Sequence, residues 1–242
     1  MVTFETVDAF GGQVREPDQP LAALDWSRVN PATGPLYIEE AEPGDMLTVE
    51  ILNIDIALQG VMAAIPGAGL FGDRVSVAEV KLVPLRDGFA HFSEHFHVPL
   101  KPMIGVIGVA PAGEGEGCGV PGALLTIGDL HAVMGDGEVM VTGVECSGEV
   151  TVRVDVVKGV SIANPRHADA ERFYTIASHE DLDVAVRMAA NDMLDIVMDK
   201  LKLSLNEAGM LLSVLGHAEI CQVVDPKVTA RFSMPKHFSP RS

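Results

Sequence analysis

The segment TVRVDVVKG, residues 151–159, alternates Val152, Val154 and Val156 with threonine, arginine and aspartate. A repeat of two puts successive side chains on opposite faces, so this stretch is a strand with one face buried. Similar β-branched or apolar runs occupy Met1–Val7, Leu36–Ile38, Met46–Ile56, Val75–Pro84 and Val139–Lys158. Clusters of glycine, proline and aspartate part them: EPGD (42–45), IPGAG (65–69), RDG (86–88) and GDG (135–137). Runs parted in this way read as strands joined by turns. The expected class is mainly β, with sandwich- or barrel-like sheets over residues 1–165.

The pattern changes after Pro165, across the turn-rich joint NPRHADAE (164–171). Leu182, Ala185, Ala189, Met193 and Ile196 recur at three- and four-residue steps, which makes one apolar helix face. Ser178 to Asp181 resembles a capping box for this helix, expected from about Asp181 to Lys200. Met193 and Ile196 should be buried, and Asp192, Asp195 and Asp199 should face solvent. A second Ser-x-x-Glu, Ser204 to Glu207, opens a shorter helix that should stop at Gly216. ICQVVDP (220–226) and VTARFSM (228–234) return to strand-like alternation. Residues 166–242 are therefore expected to form an α+β segment, two helices on a small sheet, packed on the β-rich domain.

Hydrophobic residues make up 48% of the 242-residue chain, so it has ample means to bury a core. Its formal charge of −17 argues against nucleic acid or an anionic membrane as a partner. Small neutral or cationic molecules and divalent cations suit it better. MVTFETVDAFGGQ has no basic leader before an apolar core, and MIGVIGVA (103–110) is too short to span a bilayer. Cys118, Cys146 and Cys221 are odd in number and widely spaced, which supports neither a disulfide framework nor a cysteine zinc site. A cytoplasmic protein is the default expectation.

One stretch carries more chemistry than a turn requires. GDLHAVMGDGE, residues 128–138, places Asp129, His131, Asp136 and Glu138 between two apolar runs. If residues 128–131 end a strand, Asp129 and His131 share a face, and Asp136 and Glu138 continue that alternation after the turn. Such a His among carboxylates suits a metal-activated water. The competing reading is a β-hairpin with aspartates capping its turn and a satisfied core histidine. Elsewhere, His95 and His97 in SEHFHVPL (93–100) are two apart, but an exposed strand with incidental histidines is favoured. Asn30 fits an Asn-Pro corner. GAGLFGD (67–73) lacks the lysine of a phosphate loop, and Cys118 has no neighbouring histidine to act as its base.

Several segments, in order, resemble the acetamidase/formamidase family, hydrolases that cleave short aliphatic amides to carboxylate and ammonia. They are FETVDAFGGQV (4–14), DWSRVNPATGPLYIEEAEPGD (25–45), PLKPMIGVIGVAP (99–111), GALLTIGDLHAVMGDGEV (122–139) and QVVDP (222–226). Two departures stand out. Family members usually carry a His-containing strand upstream of FETVDAFGG, and a longer insert with a Gly-Gly-Asn-x-Asp element where AGEGEGCGVP (112–121) lies here.

The resemblance implies a metal-assisted amidohydrolase for formamide- or acetamide-like substrates, with zinc ahead of calcium, and a homo-oligomer. His131 and Asp129 are the expected metal ligands from their place in GDLHAVMGDGE, and the resemblance adds Asp8. Glu138 is the expected general base or a further ligand, and Asp136 its catalytic companion. Asp8 has a second reading as a turn-former before Gly11 and Gly12. An enzyme should gather Asp8, His131 and Glu138 about one concave pocket. The alternative is a non-catalytic, metal-stabilised β-domain that binds small molecules or serves as a structural unit.

Overall fold

The computed structural model describes residues 1–17, 19–109 and 122–236. Two compact units emerge, one of residues 1–68, 72–135 and 142–161, the other of residues 69–71, 136–141 and 162–242.

The first unit holds β1 (Val2–Thr6), β2 (Ala32–Ile38), β3 (Met46–Ala64), β4 (Glu79–Arg86), β5 (Phe89–His91) and β6 (His97–Pro99). It also holds β7 (Met103–Val109), β8 (Ala123–Val133) and β9 (Val144–Val157). They make one sheet in the order β2-β8-β9-β3-β4-β5-β6, with β1 added to β9 and β7 to β8. The path is open, ending at β2 and β6, so the sheet does not close into a barrel. Its spine is the antiparallel pair β3–β9, in which Val152 opposes Ile51 and Val154 opposes Val49. The alternation in TVRVDVVKG is realised here: Val152 is fully buried, while Arg153 and Asp155 are exposed. Val150 and Val152 join Leu125, Ile127, Leu130 and Cys146 in the main core. A smaller cluster of Phe10, Val14, Leu21, Leu24, Val61, Ala63 and Val80 fills beneath the N-terminal loop.

β8 pairs with β2, β7 and β9 and buries Leu125, Ile127, Leu130, His131 and Ala132. β9 starts at Val144 rather than near Val139. Val141 takes a positive φ of 75°, a geometry no strand accommodates, so residues 139–143 stay in the connection.

The second unit contains β10 (Arg166–Ala168), β11 (Arg172–His179), α1 (Leu182–Leu201), α2 (Leu205–Leu215), β12 (His217–Gln222) and β13 (Val228–Pro235). The strands form an antiparallel sheet in the order β10-β11-β13-β12, and both helices pack on it. Met193, Val197, Ala208, Leu212 and Met234 form the buried centre of that packing. The Thr175 hydroxyl, on β11, donates to the Ala189 carbonyl of α1 at 2.6 Å.

α1 begins as expected but with a different cap. Ser178 still belongs to β11, where its hydroxyl meets that of Thr229 at 2.8 Å. Asp181 caps the helix instead, accepting from the N–H groups of Asp183 and Val184. The buried stripe runs through Ala185, Ala189, Met193 and Val197, so Ile196 is only half-buried. Asp195 and Asp199 face solvent, whereas Asp192 is half-buried and accepts from Asn164 Nδ2 at 2.9 Å. α2 has the full capping box between Ser204 and Glu207 and ends at Gly216.

Candidate active site

β8 and β9 run antiparallel, and their register sets His131 directly opposite Glu145. Directly opposed residues on neighbouring strands bring their side chains together on one face. His131 Nε2 lies 2.9 Å from Glu145 Oε1, and both residues are 1% exposed. Asp129 joins them from the same strand as His131, with Oδ1 at 3.8 Å from Nε2. One ligand atom from each of the three residues lies within 4.8 Å of the others.

Asp129 reaches this place by an irregular route. Its φ is 56°, the left-handed region, so the simple strand alternation that pairs it with His131 does not hold at the backbone. Aspartate tolerates that region better than most residues. The space for its side chain comes from Gly105 on β7: a Cβ at position 105 would stand 2.3 Å from Asp129 Oδ2. Gly143 does the same for the imidazole, since a Cβ there would stand 2.7 Å from His131 Cδ2.

Asp8 follows β1, and its Oδ1 accepts from the N–H groups of Phe10 (2.9 Å) and Gly12 (3.3 Å). That is the turn-forming arrangement, completed by positive φ at Gly11 and Gly12. Asp8 also makes itself felt at Cys146: burial, and after it the charges of Glu145 and Asp8, push this thiol up to about 12. Asp136 and Glu138 lie in the connection after β8 and belong to the second unit. The Asp136 carboxylate pairs there with Arg231 Nη2 at 2.8 Å. Arg231 also binds Glu219 through Nε at 2.8 Å. Gly137 bonds to the end of β12, its N–H to the Cys221 carbonyl and its carbonyl to the Val223 N–H. Glu138 has a φ of 47° and so does not continue a strand alternation from His131.

The residue that sequence reasoning missed is Glu145. It stands in VECSGEV, an apolar run that begins next to Cys146, fourteen positions beyond His131. The only signal was an acidic residue on the buried face of a strand otherwise lined by valine. His95 is exposed, and His97 pairs with His91 across β5 and β6. Asn30 has a φ of 53° before Pro31 and donates its N–H to the Ala9 carbonyl, a corner as expected. Cys118 and the AGEGEGCGVP junction lie outside the described residues. Cys146 and Cys221 are free. Among the described residues, no helix is long and apolar enough to cross a membrane.

Chemically, the cluster offers one imidazole nitrogen and two carboxylates, with no thiolate. It can hold a divalent cation, or pass a proton between imidazole and carboxylate.

The same segments that resembled a family in sequence extend to whole-chain likeness. The profile of the Acetamidase/Formamidase family matches residues 1–114 and 118–238. The crystal structure of an acetamidase from Bacillus halodurans is 43% identical, with a TM-score of 0.91 over 96% of this chain and 88% of that one. A predicted acetamidase/formamidase from Thermoanaerobacter tengcongensis is 43% identical, with a TM-score of 0.90 over 96% and 86% of the two chains. A candidate formamidase of Schizosaccharomyces pombe is 25% identical over 66% of this chain, which spans 60% of the length of that relative. With a profile match over nearly its whole length, the chain belongs to the Acetamidase/Formamidase family.

Proposed function

We propose that the protein is an amidase that cleaves small aliphatic amides, of the formamide or acetamide kind, to carboxylate and ammonia. The observation that carries this reading is the pairing of His131 with Glu145 at 2.9 Å beside Asp129, in a chain of this family. An amide has a poor leaving group, so its hydrolysis needs an activated nucleophile, a stabilised oxyanion and a proton for nitrogen.

The donor set fits a divalent cation. Two carboxylates drawn together in a buried place repel one another, and a dication offsets both charges. An imidazole among the donors favours zinc over calcium, which takes oxygen ligands. His131, Glu145 and Asp129 are the residues that would hold it. When bound, such an ion supplies a Lewis acid that acidifies water and polarises an amide carbonyl. For their own part, His131 and Glu145 are close enough to share a proton, and burial fixes the orientation of both. The roles of Glu138 as general base and of Asp136 beside it rest on the GDGE motif alone. Asp136 already has a partner in Arg231. Asp8 as a ligand rests on the family resemblance. A cytoplasmic homo-oligomer completes the reading, and sedimentation over a range of concentrations tests its assembly.

Ammonia release from formamide and acetamide, measured before and after chelation, tests the function. Activity should fall on chelation and return with added zinc. His131→Ala and Glu145→Gln should each lose roughly 10–100-fold or more in activity and in bound metal. Full activity and normal metal content in His131→Ala would remove this cluster from the mechanism.

A further inference from the structure

β5 and β6 form a hairpin at the open end of the large sheet, with β9, β3 and β4 between them and β8 in the strand order. Its register sets His91 directly opposite His97. The two ring centroids are 4.2 Å apart, with the planes tilted by 44°. The turn that joins the strands is tied by its own hydrogen bonds. Ser93 Oγ accepts from the N–H groups of His95 (3.3 Å) and Phe96 (3.1 Å), and the Ser93 N–H donates to the Phe96 carbonyl at 3.1 Å. The register of the strand pair and the tied turn therefore hold the two imidazoles against each other at a tilt. His91 Nε2 is shut off from solvent and has no hydrogen-bond partner among the described residues, while His97 is exposed.

Buried polar atoms are normally satisfied, and one that is not calls for an explanation. Here the neighbour across the strand pair is a second imidazole, open to solvent on its other side. We propose that His91 and His97 form a bidentate site for a divalent transition ion that prefers imidazole, of the copper(II), nickel(II) or zinc(II) class. Water completes the shell on the exposed side. The site shares no residue with the Asp129, His131 and Glu145 cluster and does not depend on the amidase reading. Binding clips the terminal strand of the sheet to its neighbour, and the acid surface of the chain raises the local concentration of cations.

The test titrates the metal-stripped full chain with copper(II) chloride and follows the bound ion by electron paramagnetic resonance. The expected result is a binding event whose spectrum carries nitrogen coupling from two imidazoles. His97→Ala, a change at an exposed position, and His91→Ala should each weaken that event about tenfold or more. Both should keep the rate of ammonia release from formamide, and His131→Ala should keep the two-nitrogen spectrum. An unchanged affinity and spectrum in His97→Ala would overturn the proposal. So would loss of that spectrum in His131→Ala alone, since the ion would then belong to the other cluster.

Discussion

Gly105 and Gly143 show how small residues make the candidate site possible. Each lies where a methyl group would strike a site side chain, Asp129 in one case and His131 in the other. Gly105→Ala should therefore displace the Asp129 carboxylate, lowering metal content and amide hydrolysis while most of the fold remains. Equal loss of activity and of folded protein would instead assign Gly105 to packing. Cys146 is adjacent to Glu145 in sequence but chemically inert. Its thiol, fully buried and beside two negative charges, is pushed from 9.0 up to about 12. The folded state therefore holds this proton after the unfolded chain has released it. The resulting stabilisation is complete below pH 9 and is lost as the pH rises toward about 12. Denaturation midpoints taken across that window should fall more steeply for the wild type than for Cys146→Ala. The same variant should keep its turnover per folded molecule.

The helices and strands divide their work. α1 lays Ala185, Ala189, Met193 and Val197 on the sheet of the second unit, and no site residue projects from it. Met193 is fully buried, so Met193→Ala should cost about 2–5 kcal/mol in a denaturation series. Half-buried Ile196 should cost less than Met193 when truncated. Turnover per folded molecule should not change in either variant. A shift in amide preference without loss of stability would mean that α1 lines the substrate site. The β8–β9 pair has the opposite character. Its register is the instrument that joins His131 to Glu145, and a slip of one residue would turn Glu145 to the other face.

The molecule as a whole carries a formal charge of −17. Such an excess repels itself in the folded state and draws cations toward the surface. Its few cations are partly engaged: Lys158 binds Glu42 and Asp45, Arg153 binds Glu50, and Arg231 binds Glu219 and Asp136. Adding monovalent salt to about 0.15 M, where the screening length is about 8 Å, should raise the thermal midpoint from its low-salt value. A midpoint that falls instead would show that these attractive pairs outweigh the general repulsion.

Local sequence determined which segments became strands and helices, because side-chain periodicity and caps act within a few residues. The valines of 150–156, the Ser204–Glu207 box and the Gly216 stop all found their expected places. The family was also legible, in GDLHAVMGDGE and its flanking segments. Where local signals competed, the tertiary structure decided: Ser178 was claimed by its neighbour Thr229 in the sheet, and the cap passed to Asp181. The site lay furthest from what sequence spacing can express. Asp129 and His131 were visible two positions apart, whereas Asp136 was drawn to Arg231, a strand distant in the chain. Glu145 joined His131 only because two antiparallel strands stopped in one register. Register depends on the packing of both strands and on the length and conformation of the connection between them. No spacing within the motif encodes that, so the third member of the cluster was fixed by the fold.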